Sequence, residues 1–393
     1  MEKPKIRFLK NKHSWVRNTF EEIAKRRTKS SDNPDLPRIE YQDIISGEGR
    51  LNKDLNKNFD CRKGIVFETN DILYGKLRPY LKNWLHPNFN GIALGDFWVL
   101  QARNCDSKFL FSLVQSPKFQ RVANDTSGTK MPRSDWKTVS QTEFSIPTSN
   151  EEQSAIGSLF LTLDNLLASY KDNLANYHSL KTTMLSKMFP KAGKTVPEIR
   201  LDGFEGEWEK YYLGDIFEQV SNYIEPSVEN ELWSLTIEKG LTPKTDRYKR
   251  DFLVKKNDKF KKVDVNEFVY NPMNLTLGAL DLNDNEITIS VSGYYVVMKN
   301  RDIEKFDNDF LKILLKTTYA IYQYKQFATG TLIEKQRVQF PTFSEIPFYL
   351  PPIDEQRVIG TYFSNLDNLI AAHQEKIFQL ETLKKKLLQD MFI

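Results

Sequence analysis

The sequence predicts an α+β protein built twice: two tandem α/β bodies, each followed by a long helix, with the two helices pairing along an apolar seam. Three observations carry this expectation. The helical segment "IGSLFLTLDNLLAS" at 156–169 returns as "IGTYFSNLDNLIAA" at 359–372, a constant offset of 203 residues. Weaker matches flank it in the same order in both halves. Between them, short runs rich in β-branched and aromatic residues read as strands.

The repeat covers the whole chain. "PKIRF" at 4–8 matches "PEIRL" at 197–201, and Trp15, Phe20 and Ile23 match Trp208, Leu213 and Ile216, all at offset 193. "NDILY" ending at Tyr74 matches "NEFVY" ending at Tyr270, offset 196. "DFWVL" at 96–100 resembles "GYYVV" at 293–297, offset 197, and "FLFSLV" from Phe109 resembles "FLKILL" from Phe310, offset 201. "SGT" at 127–129 matches "TGT" at 329–331, offset 202. The drift fits small loop insertions. The division expected is a first body over 1–145, a central helix over 146–192, a second body over 193–347 and a final helix over 348–393. The "PKAGKTVP" linker at 190–197 separates the halves, because Pro and Gly stop a helix.

Within the bodies, "GIVFE", "DILYG", "GDFWVLQ", "EFVYN", "EITISVS" and "YYVVM" are expected strands, and "SKFLFSLVQSPKFQRVAN" and "NDFLKILLKTTYAIYQYKQF" are expected helical. In the first long helix Ile156, Phe160, Leu163, Leu167, Tyr170, Leu174 and Tyr177 alternate spacings of four and three. Ile359, Phe363, Leu366, Ile370, His373, Ile377 and Leu380 do the same in the second. This is a heptad-type seam. Ser149 and Glu152 have the spacing of a capping box. About 40 helical residues make a rod of roughly 60 Å. The seams need partners: either they pack on each other, or each helix folds back on its own body.

Composition narrows the class. A chain of 393 residues has room for two or three cores. Its 40% hydrophobic and 12% aromatic content exclude a disordered chain. No apolar run approaches the length of a membrane span, and "MEKPKIRFLKNKHSW" lacks the apolar core of a secretory signal. Cys61 and Cys105 are the only cysteines and show no C-x-x-C spacing. Neither a disulfide framework nor a cysteine zinc site is expected, and a cytoplasmic location fits. A net charge of +4 permits nucleic acid as a ligand without requiring it.

The seams are kept while the bodies diverge. After Tyr74 the chain reads "GKLRPY"; after Tyr270 it reads "NPMNLT". Two different loops occupy one place on two similar scaffolds. Similar helices suit two copies of one partner, and different bodies suit two different targets. Antiparallel helices would relate the bodies by a pseudo-twofold, the symmetry of duplex DNA, whose half-sites recur about every 34 Å. The candidate DNA-binding residues follow from chemistry and place. Arg78 suits a bidentate contact to guanine, with Lys76 beside it; Asn271 and Asn274 suit adenine. Lys130 and Arg133 follow the first Ser-Gly-Thr turn, and Lys335 and Arg337 follow the second Thr-Gly-Thr turn. Lys244 and Arg247 open a stretch, 244–262, with nine Lys or Arg against three Asp, able to neutralise phosphates. Tyr74 and Tyr270 read as framework. No catalytic residue and no metal site is expected. "SGTKM" lacks the first glycine of a phosphate loop. "NPMN" lacks the second proline and the aromatic of an amino-methyltransferase loop, and no acidic-x-Lys follows Pro34–Asp35 as a nuclease site would need. His13, His86, His178 and His373 have no ligand spacing.

The opening W-x(4)-L/F-x(2)-I segment and the P…E-Q…I-x(3)-F-x(2)-L-D helix, best seen in "EWEKYYLGDI" and "LPPIDEQRVIGTYFSNLDNLI", resemble the specificity subunit of type I restriction-modification systems over the full chain. The first copy departs in two places: "IPTSNEEQ" has one proline, and "SWVRNTFEEI" lacks the Gly-Asp of Gly214–Asp215. The resemblance implies that the bodies are target recognition domains and that the helices form an antiparallel coiled coil. It implies a non-catalytic chain that reads a bipartite target in double-stranded DNA and binds two modification (methyltransferase) subunits, with restriction subunits able to join. It implies no cofactor on this chain, S-adenosylmethionine, ATP and Mg belonging to the partners. A tandem adaptor that binds only protein is the alternative.

Overall fold

The computed structural model describes residues 4–8, 14–52, 62–125, 131–191, 193–227, 230–244, 260–330 and 336–392. The chain divides into two compact units. One is Met1–Leu174 with Ala372–Ile393, and the other is Ala175–Ala371. Each unit is a body plus a stretch of each long helix. No helix among the described residues is long and apolar enough to cross a membrane.

In the first unit a four-stranded antiparallel sheet runs in the order Ala24–Arg26, Phe97–Ala102, Ile72–Gly75, Trp84–Leu85. In the second, the order is Phe217–Val220, Val296–Asn300, Phe268–Tyr270, Leu280–Leu282. The two sheets match strand for strand. Their register corrects one expected offset: Tyr74 pairs with Trp98 and Tyr270 with Val296, so Trp98 corresponds to Val296. The offset there is 198, not 197. A slip of one residue matters in a strand, because it sends every side chain to the opposite face.

Each body is closed by a ribbon of its first and last strands. Trp15–Thr19 pairs with Glu143–Pro147, and Glu209–Tyr212 with Pro347–Leu350. The short helix after the opening strand is capped alike in both. The Glu22 carboxylate accepts from the Thr19 N–H (2.8 Å), and the Asp215 carboxylate accepts from the Tyr212 N–H (2.9 Å). The missing Gly-Asp of the first copy is thus replaced by a glutamate doing the same capping.

The expected strands form. The two expected body helices are each broken in two. Ser107–Gln115 and Pro117–Ala123 are separated at Ser116, and Asn308–Leu314 and Thr318–Phe327 at Leu315–Thr317. Ser116 and Thr317 leave helical geometry to cap the second helix, and Pro117 suits the first position of the new one. Beyond these shared parts the bodies differ. The first carries a mixed sheet of Ser30–Ser31, Gly64–Phe67, Gly91–Ala93 and Arg38–Ile39. The second carries the hairpin Trp233–Thr236 with Gly240–Pro243 and the pair Phe260–Val263 with Ile289–Ser292.

The long helices span Asn150–Lys187 and Ile353–Met391. They run antiparallel within each unit. In the first, Asp164 pairs with Lys384 (2.5 Å), Lys171 with Glu381 (2.8 Å), and the Tyr170 and His373 rings meet at 5.2 Å. In the second, Lys181 pairs with Asp367 and the Phe189 and Phe363 rings meet at 6.2 Å. The seam divides its labour. Ile156, Phe160, Ile359 and Phe363 are buried in the cores of their own bodies. Leu163, Leu167 and Leu380 share the first core with Tyr170 and Ile377 packed against it, while Leu366 and Ile370 are buried and Leu174, Tyr177 and His373 half-buried. Both expected answers hold, at different levels of the same helices.

The E-Q pair docks each helix. Glu152 takes two bonds from Arg7 (2.6 and 2.7 Å) and one from the Trp15 indole (3.3 Å). Glu355 takes two from Arg200 (2.7 and 2.5 Å). Next in sequence, Gln153 accepts from the Asp106 N–H and donates to the Pro147 carbonyl, and Gln356 accepts from Asp307 and donates to Pro351. Only half of the expected capping box forms. Ser149 accepts from the Glu152 N–H (3.3 Å), but the Glu152 carboxylate is engaged by Arg7 and Trp15.

One turn on, a glycine permits close approach. A Cβ on Gly157 would lie 2.5 Å from the Phe109 nitrogen, whereas one on Gly360 would meet the Asp307 carboxylate at 2.9 Å and the Phe310 nitrogen at 3.0 Å. Alanine is a better helix former than glycine by about 1 kcal/mol, yet overpacking typically costs about 1–3 kcal/mol. Gly157→Ala is therefore expected to lower stability, and by more than Gly360→Ala. Hydrogen exchange read separately in each unit checks this; equal or raised protection in Gly157→Ala would refute the packing argument.

Candidate nucleic-acid interface

In each body the loop after the second sheet strand meets the segment that follows the Gly-Thr turn. In the first body the Ser134 N–H donates to the Lys76 carbonyl (2.8 Å) and the Arg78 N–H to the Pro132 carbonyl (2.7 Å). In the second, the Val338 N–H donates to the Pro272 carbonyl (3.0 Å). Lys76 and Pro272 are equivalent by the repeat, so this junction is common to both scaffolds. It brings together Lys76, Arg78 and Arg133 in one body, and Asn271, Asn274 and Arg337 in the other. Lys130, Arg247 and Lys335 lie outside the described residues. Lys244 is exposed at the end of the hairpin, its N–H bonded to the Leu232 carbonyl (3.1 Å).

The tyrosines that lead into these loops are framework. Tyr74 and Tyr270 are 1% and 0% exposed. Tyr74 stacks on Trp98 at 5.9 Å and Tyr270 on Phe343 at 5.0 Å. Burial raises both phenol pKa values far above their usual range, so both rings remain neutral. Rigid strands therefore end where the polar loops begin.

The polar side chains are not equivalent. Asp96 lies 3.5 Å from the Lys76 ammonium and 3.0 Å from the Arg133 guanidinium, so one carboxylate holds two of the cations. The Tyr41 hydroxyl donates to the Asp96 carbonyl (2.5 Å) and accepts from the Leu77 N–H (3.2 Å). Burial pushes its pKa up to about 12. Arg78 is exposed and has no carboxylate partner among the described residues. Its backbone is left-handed (φ 49°), as is that of Lys82 (φ 55°), at either end of the short 3-10 turn Pro79–Leu81. Left-handed geometry costs a non-glycine residue roughly 1–3 kcal/mol and gathers at functional sites.

Asn271 accepts from the Met273 N–H through its side-chain oxygen (3.0 Å), which commits one of the two groups a bidentate adenine contact would use. Asn274, which precedes the turn Leu275–Leu277, makes no side-chain capping bond to it. The basic stretch 244–262 is described only at Lys244 and from residue 260 onward. Lys261 is 6% exposed with its ammonium on the Tyr295 carbonyl (2.7 Å), and Lys262 pairs with Asp264 (2.8 Å). Lys261 therefore presents no solvated charge to a phosphate, whereas Lys262 remains partly exposed. The residue types singled out in advance omitted the apolar neighbours: Tyr80 and Met131 are 56% and 53% exposed beside the first cluster, and Met273 and Leu277 are 50% and 56% exposed beside the second. Their place next to the loop residues was a usable signal. No group of His, Cys, Asp or Glu able to hold a metal occurs among the described residues.

Comparison with known proteins finds relatives in one family. Residues 205–382 match the family described as type I restriction modification DNA specificity domain. The chain is 24% identical over 352 residues to the type I restriction enzyme MjaVIII specificity subunit of Methanocaldococcus jannaschii, covering 83% of this chain and 79% of that one. It is 25% identical over 190 residues to the type I restriction enzyme EcoDI specificity subunit of Escherichia coli, covering 46% and 42%. Among solved structures, the type I restriction-modification S subunit from M. genitalium superposes with a TM-score of 0.64 at 16% identity, covering 100% of this chain and 99% of that one. That last likeness establishes the fold.

Proposed function

From the premise that this chain carries a type I restriction-modification DNA specificity domain, we propose that it reads a bipartite, asymmetric target in double-stranded DNA, one half-site with each body. The family is one of DNA specificity and not of catalysis. The observation that carries the finer reading is the shared junction. One backbone arrangement presents Lys76, Arg78 and Arg133 in the first body and Asn271, Asn274 and Arg337 in the second. Similar junctions with different hydrogen-bonding groups suit two different sequences. The paired long helices dock two modification (methyltransferase) subunits, and restriction subunits join that complex. S-adenosylmethionine, ATP and Mg act on those partners, and the chain itself needs no cofactor.

Long-read methylation mapping in the source strain and in a strain deleted for this gene tests the proposal. The expected result is loss of adenine methylation at one split, asymmetric motif. An unchanged methylome, together with no salt-dependent DNA affinity of the chain mixed with its modification subunit, would leave only a protein adaptor. Specific binding is expected to weaken steeply with salt, as phosphate contacts require; a flat salt dependence in a gel-shift titration would contradict it.

A further inference from the structure

Among the described residues, hydrogen bonds and ion pairs tie the first recognition loop to the long helices but not the second. The tie begins at the hairpin of Ile44–Ile45 and Arg50–Leu51. At its tip the Gly47 N–H donates to the Lys82 carbonyl (3.0 Å) and the Ser46 hydroxyl to the Leu81 carbonyl. Leu81 and Lys82 close the turn that Arg78 opens: the Leu81 N–H donates to the Arg78 carbonyl and the Lys82 N–H to that of Pro79, both at 2.9 Å. A Cβ on Gly49 would stand 2.8 Å from the Phe111 ring, so the hairpin sits close against the body.

The same hairpin holds both helices. Glu48 accepts from Arg50 (2.7 Å) and pairs with Lys171 (3.2 Å). Arg50 also reaches both oxygens of Asp172 (2.9 and 2.8 Å), and Lys171 reaches Glu381 (2.8 Å). A continuous polar path therefore runs from the two helices to the backbone that carries Arg78. Beside it is a cavity of about 370 Å³, lined in part by Lys82, Trp84, Lys171 and Glu381. In the second body the turn Leu275–Leu277 rests on a body helix: a Cβ on Gly278 would lie 3.4 Å from Ile321. Among the described residues no hydrogen bond or ion pair joins that loop to either long helix.

We propose that Glu48 and Arg50 are positioning residues for the first half-site, holding the Arg78 loop against the helix pair so that reading of this half-site alone depends on the helices. The inference rests on the reading that the Arg78 loop contacts DNA. Each ion pair is partly exposed, Asp172 by 58% and Arg50 by 29%, so no single pair is strong; the effect comes from the network.

The test uses the full chain, with discrimination measured at each half-site by competition between cognate and singly substituted duplexes. Arg50→Gln and Asp172→Asn are each expected to lower first-half-site discrimination about threefold to fivefold, with no change at the second. The double variant is expected to be no worse than the stronger single one, because the two act through one another. Asp172→Glu, which keeps the charge, is expected to restore the wild-type ratio. Unchanged discrimination, or equal loss at both half-sites, would overturn the proposal. Arg78→Ala run in parallel separates two failures. If it relaxes the first half-site while Arg50→Gln and Asp172→Asn do not, the tie is wrong and DNA reading stands. If it changes neither half-site, the reading of the loop itself is wrong.

Discussion

Arg78→Ala is expected to weaken discrimination at one base pair of the first half-site by about 1–3 kcal/mol, the range of a bidentate arginine–guanine contact, and to leave the second half-site unchanged. The structure separates this residue from its neighbours. Lys76 and Arg133 share the Asp96 carboxylate, so their charge is partly offset before any ligand arrives. Arg78 is exposed, held by a left-handed backbone and followed by the fixed ring of Pro79. A side chain whose backbone is already constrained loses less freedom on binding. Lys76→Ala and Arg133→Ala are expected to act differently, lowering affinity for all sequences alike and flattening its salt dependence. Competition binding with duplexes substituted one position at a time distinguishes the two patterns. A uniform loss in Arg78→Ala would make it a phosphate contact. In the second body Asn274→Ala should mirror Arg78→Ala, because Asn271 already has its oxygen committed to Met273.

The largest stability effect is expected from Arg200→Ala. Glu355 is 0% exposed and takes both its bonds from Arg200. Removing one partner of a buried ion pair leaves an uncompensated charge and costs about 3–5 kcal/mol. Arg7→Ala makes the equivalent change in the first unit and is expected to cost less, because the Trp15 indole still donates to Glu152. Among the described residues the Trp208 indole nitrogen is buried without a partner. The two units need not unfold together, so one melting temperature is a poor readout. Hydrogen exchange resolves them: Arg200→Ala should speed exchange in Glu209–Tyr212 and Pro347–Leu350 and leave Trp15–Thr19 and Glu143–Pro147 alone. Equal destabilisation by both substitutions would show that the indole bond contributes nothing.

The long helices and the doubled plan were legible in the sequence because a period of three and four over seven positions has few other solutions, and because one chain carried its own comparison. The loops after Tyr74 and Tyr270 were found the same way, by contrast between copies and not by any motif. Ser116–Pro117 was a visible break that helical composition on both sides obscured. What stayed hidden depends on folding. Glu152 meets Arg7 across 145 residues and Glu355 meets Arg200 across 155, so the E-Q pair could be seen to repeat but not to serve as a dock. Asp96 looked like part of a strand border, and its grip on Lys76 and Arg133 follows only from sheet pairing. Lys261 counted as surface charge until the strand Phe260–Val263 turned it inward.

The make-up of the first unit bears on how the chain is made. Its core contains Phe160, Leu163 and Leu167 together with Leu380, Leu388, Met391 and Phe392, so the first body begun on the ribosome is completed only after the whole second body has been synthesised. Until then the apolar stripe of Asn150–Leu174 has no helix to cover it. A nonsense mutation near residue 372 would therefore harm the far end of the gene's message: the second core would be left whole, and the first would be left open, sticky and exposed to proteases.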